Sequence, residues 1–181
     1  VTREFLQNQA AQNIRHSEVT YTPNRRMPFA EQLAAINRAR SWAESTLGVT
    51  MGIVIDIPVE VTSQEGEMIA GWSISGMDDG VVAFGLGGGE SVELVLKHAG
   101  AFRLARAAGL PSVPHAGETT GAATIWAALT EQDAVRLGHG IHCLEDTALV
   151  DELRRRGVTL EVCPTGNVLL GVVPTLADHP L

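Results

Sequence analysis

The chain has 181 residues, 45% of them hydrophobic and 19% charged, the balance of an ordinary globular domain with a sizeable core. Its net charge is −8 and its thirteen basic residues are scattered except for Arg154, Arg155 and Arg156, so no phosphate-binding stripe exists and nucleic acid is excluded as a partner. No apolar run approaches the ~20 residues of a membrane span, the opening VTREFLQNQ is polar, and two cysteines, Cys143 and Cys163, are too few for a disulfide framework, so we expect one cytoplasmic domain over residues 1–181, away from membranes, with both thiols reduced.

In chain order, β-like apolar runs alternate with stretches whose apolar residues recur at helical spacing. A strand is predicted at 14–22, a helix at Phe29–Leu47 and a strand at 50–57. A helix holding two glycines follows at 61–74, then a strand at 81–86 and a helix at 91–108. The last five elements are a strand at 111–115, a helix at 120–132, a strand at 135–139, a helix at 146–156 and a strand at 159–163. Such alternation argues for a parallel sheet covered by helices, either open or rolled into a barrel.

Polar and glycine-rich residues gather after the strand runs: Glu18 and Pro23, Asp56 to Glu60, Gly85 to Glu90, His115 to Glu118, His139 to His142, and Cys163 to Asn167. An open sheet concentrates its site at one switch point, whereas a β/α barrel collects contributions from many strand ends around one mouth, which makes the barrel the preferred architecture. GLGGGE at Gly85 to Glu90 has neither the dinucleotide spacing nor the Lys and Ser/Thr of a P-loop, which excludes nucleoside triphosphate binding there.

His115 and Glu118 share one strand-to-helix loop, and His139 closes the next strand. A neutral imidazole can bind zinc, a carboxyl group with a raised pKa can donate a proton, and a second histidine can orient or deprotonate a water activated by a metal. That is equipment for metal-assisted hydrolysis. On spacing alone, the alternative in which each histidine only hydrogen-bonds locally at a strand end stays open.

PHAGE at Pro114 to Glu118, RLGHG at Arg136 to Gly140 and LEVCPTGN at Leu160 to Asn167 resemble motifs of the adenosine deaminase family of β/α-barrel, metal-dependent aminohydrolases, and FGLGGGE at Phe84 to Glu90 is similar to its fourth-strand motif. The resemblance covers essentially the whole chain, in the family's order and spacing. It implies that His115 is a metal ligand and that Glu118 protonates the purine ring nitrogen beside the attacked carbon. It also implies that His139 orients and deprotonates the metal-activated water, and that Gly88 offers its backbone amide to the purine. The implied reaction is hydrolytic deamination of a 6-aminopurine nucleoside, adenosine to inosine and ammonia, a step of purine metabolism with one zinc per site. Glu118 would have to be protonated at neutral pH, so a desolvated setting is expected for it.

Two family features are missing. No His-x-His occurs, and the only Asp-Asp, Asp78 and Asp79, precedes the run at 81–86 rather than following an eighth strand. The length also falls short of the ~250 residues typical of a complete barrel. The expectation is therefore an incomplete TIM (β/α)8 barrel, about six parallel strands equivalent to strands two to seven with no closed ring, either an internal portion of a longer protein or what remains of one after loss of its ends. One of four metal ligands is present, so this stretch alone should hold zinc weakly or not at all and be inactive by itself. Gly85 and Gly89 stand where many adenosine-specific members carry acidic residues, and LGLGG-like and CPTSN-like versions resemble a bacterial branch that includes aminodeoxyfutalosine deaminases of menaquinone synthesis. That substrate is the alternative within the class. A non-catalytic chain that binds purine or a protein partner is the alternative outside it. Cys163 is expected to be buried packing, and His179 to face solvent.

Overall fold

A computed structural model describes residues 1–180. Its elements are α1 (Thr2–Ala11), β1 (His16–Tyr21), α2 (Phe29–Leu47), β2 (Thr50–Pro58), α3 (Ser63–Ser75), β3 (Val81–Gly87), α4 (Val92–Ala107), β4 (His115–Ala116), α5 (Ala122–Glu131), β5 (Arg136–His139), α6 (Thr147–Arg156), β6 (Thr159–Glu161) and α7 (Pro164–Leu169), with three short 3-10 turns. No helix among the described residues is long and apolar enough to cross a membrane.

All six strands run parallel in chain order, β1–β2–β3 and β4–β5–β6. The two triplets meet where the Phe84 amide donates to Pro111 O at 2.9 Å and the Val113 amide donates to Phe84 O at 2.8 Å. β4 is shorter than the predicted 111–115 because Pro111 and Pro114 bring no N–H to a ladder.

In β2, every residue from Met51 to Ile57 is buried, the mark of a strand covered on both faces. Ile53, Ile55 and Ile57 pack with Leu33, Ile69, Phe84 and Phe102 in the helix-side core. Val54 packs on the other face with Ala83 and Val113. A second helix-side core joins Ile125, Leu129, Leu137, Leu149 and Leu153 beneath α5 and α6. Helix ends are well specified: Thr62 and Glu65 form a capping box on α3, and Asp146 caps α6, which stops at the left-handed Gly157.

One ion pair separates a rolled sheet from an open one. Arg136 at the start of β5 meets Glu18 in the middle of β1, and its guanidinium also lies 2.7 Å from Glu161 on β6. Four strand steps of about 4.8 Å would hold β1 and β5 roughly 19 Å apart in a flat sheet, so the pair can form only across the inside of a curled one. Glu18 is thereby corrected: it lies within a strand and braces the interior rather than joining a cluster after the strand end. Among the described residues β1 and β6 do not pair, which leaves the six-stranded barrel open between them, as expected.

Two further expectations are overturned. Cys163 is exposed, because the chain leaves β6 before reaching it and turns into α7, whereas Cys143 is buried. His179 is only 9% exposed, since the segment after α7 folds back over the strand ends.

Candidate active site

His115 lies on β4, Glu118 in the loop to α5, and His139 is the last residue of β5. The register pairs His115 with Gly138 and Ala116 with His139. In regular strands that register would send the His139 side chain to the same face as Ala116, which belongs to the helix-side core. His139 instead has φ 68°, which breaks the alternation, and its ring stands 5.0 Å from that of His115, nearly perpendicular to it. A left-handed non-glycine residue costs on the order of 1 kcal/mol or more, and such strain collects at functional sites. Gly138 supplies the room: a Cβ there would sit 2.4 Å from His115 Cδ2.

Glu118 completes the group. Its Oε1 lies 3.2 Å from His139 Nδ1, out of line for a hydrogen bond, and accepts one from Asn167 Nδ2 at 3.0 Å. Its side chain is 16% exposed. Burial, and then the neighbouring His139, hold the His115 pKa below the ordinary imidazole value, against the opposing pull of Glu118 and Glu90. His115 is thus neutral near pH 7, the form that can ligate a metal. Gly88 has φ 110°, and a Cβ on it would approach Val59 Cγ2 to 2.9 Å, so the backbone itself requires glycine there. Gly88 and His115 line one small recess with Gly87, Gly89, Glu90 and Thr124.

The three ionisable residues singled out in the sequence therefore come together on one face at the strand ends, with Gly88 beside them. Among the described residues no group of three or more His, Cys, Asp or Glu side chains is placed to hold a metal ion. One imidazole does not make a metal site, so His115 fits as a single ligand of a set that these residues alone leave incomplete.

Three residues carry parts of the site that sequence reasoning missed. The Glu90 carboxylate accepts from the backbone amides of Glu118 at 3.0 Å, Thr119 at 3.1 Å and Thr120 at 3.2 Å, and from the Thr120 hydroxyl at 2.9 Å. It anchors the segment that bears Glu118. Asn167 and His179 stand behind Glu118, with His179 Nε2 at 3.1 Å from Asn167 Oδ1. Glu90 and Asn167 close the quoted motifs FGLGGGE and LEVCPTGN, but nothing in either motif names a partner on another loop.

Asp56, near the end of β2, shares the interior face with Val54 and is 8% exposed. Burial, and then repulsion from Glu60, raise its pKa to about 6, against a hydrogen bond from the Gly87 amide. Its Oδ1 is buried without a partner among the described residues.

The adenosine deaminase family model matches residues 1–181. The chain is 38% identical, over its whole length, to the aminodeoxyfutalosine deaminase of Streptomyces coelicolor, covering 48% of that protein. Among solved structures, the adenine deaminase from Arthrobacter aurescens superposes over 99% of the chain with a TM-score of 0.89 at 30% identity, the chain covering 56% of it. An amidohydrolase from Burkholderia ambifaria with bound zinc matches over 96% of the chain at 27% identity with a TM-score of 0.86, the chain covering 49% of it. The chain thus spans about half the length of the relatives it matches.

Proposed function

The chain belongs to the adenosine deaminase family, and from that membership we propose that the protein carrying it removes the exocyclic amine of a 6-aminopurine nucleoside, adenosine to inosine and ammonia, by hydrolysis. The observation that carries this reading is the convergence of His115, Glu118 and His139 at the ends of neighbouring strands, with His139 held in a strained conformation to face the other two. His115 would be one ligand of a zinc ion whose remaining ligands lie on other segments. Zinc, when bound, would lower the pKa of the attacking water.

The chain's own residues do the proton work. Glu118 donates a proton to the ring nitrogen next to the amine-bearing carbon, which makes that carbon electrophilic. His139 accepts a proton from water as its oxygen bonds to the carbon. The amine then takes the proton that His139 accepted, the C–N bond breaks and ammonia leaves, and the remaining hydroxyl proton returns to Glu118 as the carbonyl forms. Overall, one water is consumed and the amine is replaced by a carbonyl oxygen. The Gly88 amide is proposed to contact the purine, and a bulky side chain there is excluded by its φ and by Val59.

A second substrate has specific support: the Streptomyces coelicolor relative, matched over the whole chain, is an aminodeoxyfutalosine deaminase, and Gly85 and Gly89 put no side chain at the two positions of the fourth-strand motif where many adenosine-specific members carry acidic residues. The reading carries with it a place in cytoplasmic purine metabolism, which the two free thiols fit. Ammonia release from adenosine, adenine and aminodeoxyfutalosine, compared by kcat/KM, tests it. Preference for adenosine supports the first reading and preference for aminodeoxyfutalosine the second, while release from none of them overturns both.

A further inference from the structure

Behind Glu118 lies a buried pair that the deamination chemistry does not itself call for. Asn167 is fully buried and His179 is 9% exposed. Asn167 Nδ2 donates to Glu118 Oε1 at 3.0 Å, and His179 Nε2 lies 3.1 Å from Asn167 Oδ1. The directions of these bonds are constrained. The Asn167 NH2 faces Glu118 and its oxygen faces His179, the one arrangement open once Glu118 has given up its proton, because an ionised carboxylate only accepts. That oxygen needs a donor, and His179 supplies one only with its proton on Nε2. Its Nδ1 is buried without a partner among the described residues, and an unpaired acceptor there costs less than an orphaned N–H. Each choice supports the next.

We propose that Asn167 and His179 are positioning residues that assign the two oxygens of Glu118: Oε1 is held as an acceptor, so the transferable proton resides on Oε2. Asn167 holds the carboxyl, and the His179 Nε2–H prevents the Asn167 amide from turning over and presenting its oxygen instead. With the amide turned, Oε1 would have to carry the proton in order to donate to Asn167 Oδ1. Oε2 would then have none to give to substrate. The inference rests on the proposed deamination, and it names residues on the segment after β6 that set the state of an acid on the loop after β4.

Two measurements test it in the intact protein. The 15N chemical shifts of the His179 ring, identified by comparison with a His179 variant, should show the Nε2–H tautomer, and an Nδ1–H tautomer overturns the assignment whether or not the protein turns over any purine. In steady-state kinetics His179→Phe, which keeps an aromatic ring without a donor, should lower kcat about tenfold with KM within about twofold, the scale of one lost neutral hydrogen bond. His179→Gln, whose side-chain amide can stand in for Nε2–H, should recover most of that loss. Asn167→Asp, which still accepts from His179 but cannot donate to Glu118, should lower kcat by about a hundredfold, the larger loss expected when a carboxylate faces a carboxylate. Wild-type kcat in His179→Phe or in Asn167→Asp, or a His179→Gln no better than His179→Phe, overturns the proposal. A wild-type protein inactive on every 6-aminopurine instead removes the functional reading, and the tautomer then decides the positioning by itself.

Discussion

Asp56→Asn should make the protein more stable at neutral pH and leave it no more stable in acid. Burial raises the Asp56 pKa from 3.8 to about 6, so the folded protein holds this proton more tightly than the unfolded chain. Between those two values the unfolded chain binds fewer protons, and stability therefore falls as pH rises through the window. A shift of about two units at about 1.4 kcal/mol each is a penalty of about 3 kcal/mol at pH 7. Asn removes the charge and can still accept from the Gly87 amide, but it places an NH2 where the unpartnered Oδ1 now lies, which returns on the order of 1 kcal/mol. The expected net gain is about 2 kcal/mol at pH 7, shrinking to nothing or less near pH 4. Urea unfolding of both proteins at pH 4, 5, 6 and 7 reads this directly. A gain equal at all four values, or none at pH 7, would refute the reasoning that ionised Asp56 is buried at a cost.

Two other perturbations address the scaffold of the site. Glu90→Ala removes the acceptor shared by three consecutive amides, so hydrogen exchange at Glu118, Thr119 and Thr120 should accelerate by tenfold or more while the amides of β2 stay protected; unchanged exchange in the loop would mean that Glu90 does not anchor it. Gly88→Ala forces a side chain into φ 110° and toward Val59, so stability should drop by about 1–2 kcal/mol by thermal unfolding even without substrate, and a neutral substitution would show that the loop does not require glycine.

Much of the architecture was legible because periodicity and turn residues report local conformation. α2 matches its predicted bounds of Phe29–Leu47, and the other predicted helices differ by a residue or two at their ends. β4 was overestimated because its apolar run contains two prolines, and α7 was missed because PTGNVL is too short for a helical period to emerge. The convergence of His115, Glu118 and His139 followed from their shared place after strands. The left-handed turn at His139 left no trace in its residue type, since the local sequence RLGHG reads equally well as an extended strand end. The supporting bonds of Glu90, Asn167 and His179 each join segments at least 12 residues apart, and no local pattern encodes them. His179 in particular sits beside a proline in a segment with no strand or helix period, which reads as surface, and it is buried only because that segment folds back over the strand ends.

The proposed chemistry divides the labour between His115, as one ligand of the metal, and Glu118, as the group that moves the proton. Metal content and kcat on 6-aminopurine nucleosides, measured together for the wild type, Glu118→Gln and His115→Ala in the intact protein, test it most directly. Glu118→Gln keeps the shape of the side chain and should retain nearly full metal content while kcat falls by a thousandfold or more, a loss of about 4 kcal/mol of transition-state stabilisation. His115→Ala should lose metal and activity together. Equal metal content in the two variants, or wild-type turnover in either, would contradict the account.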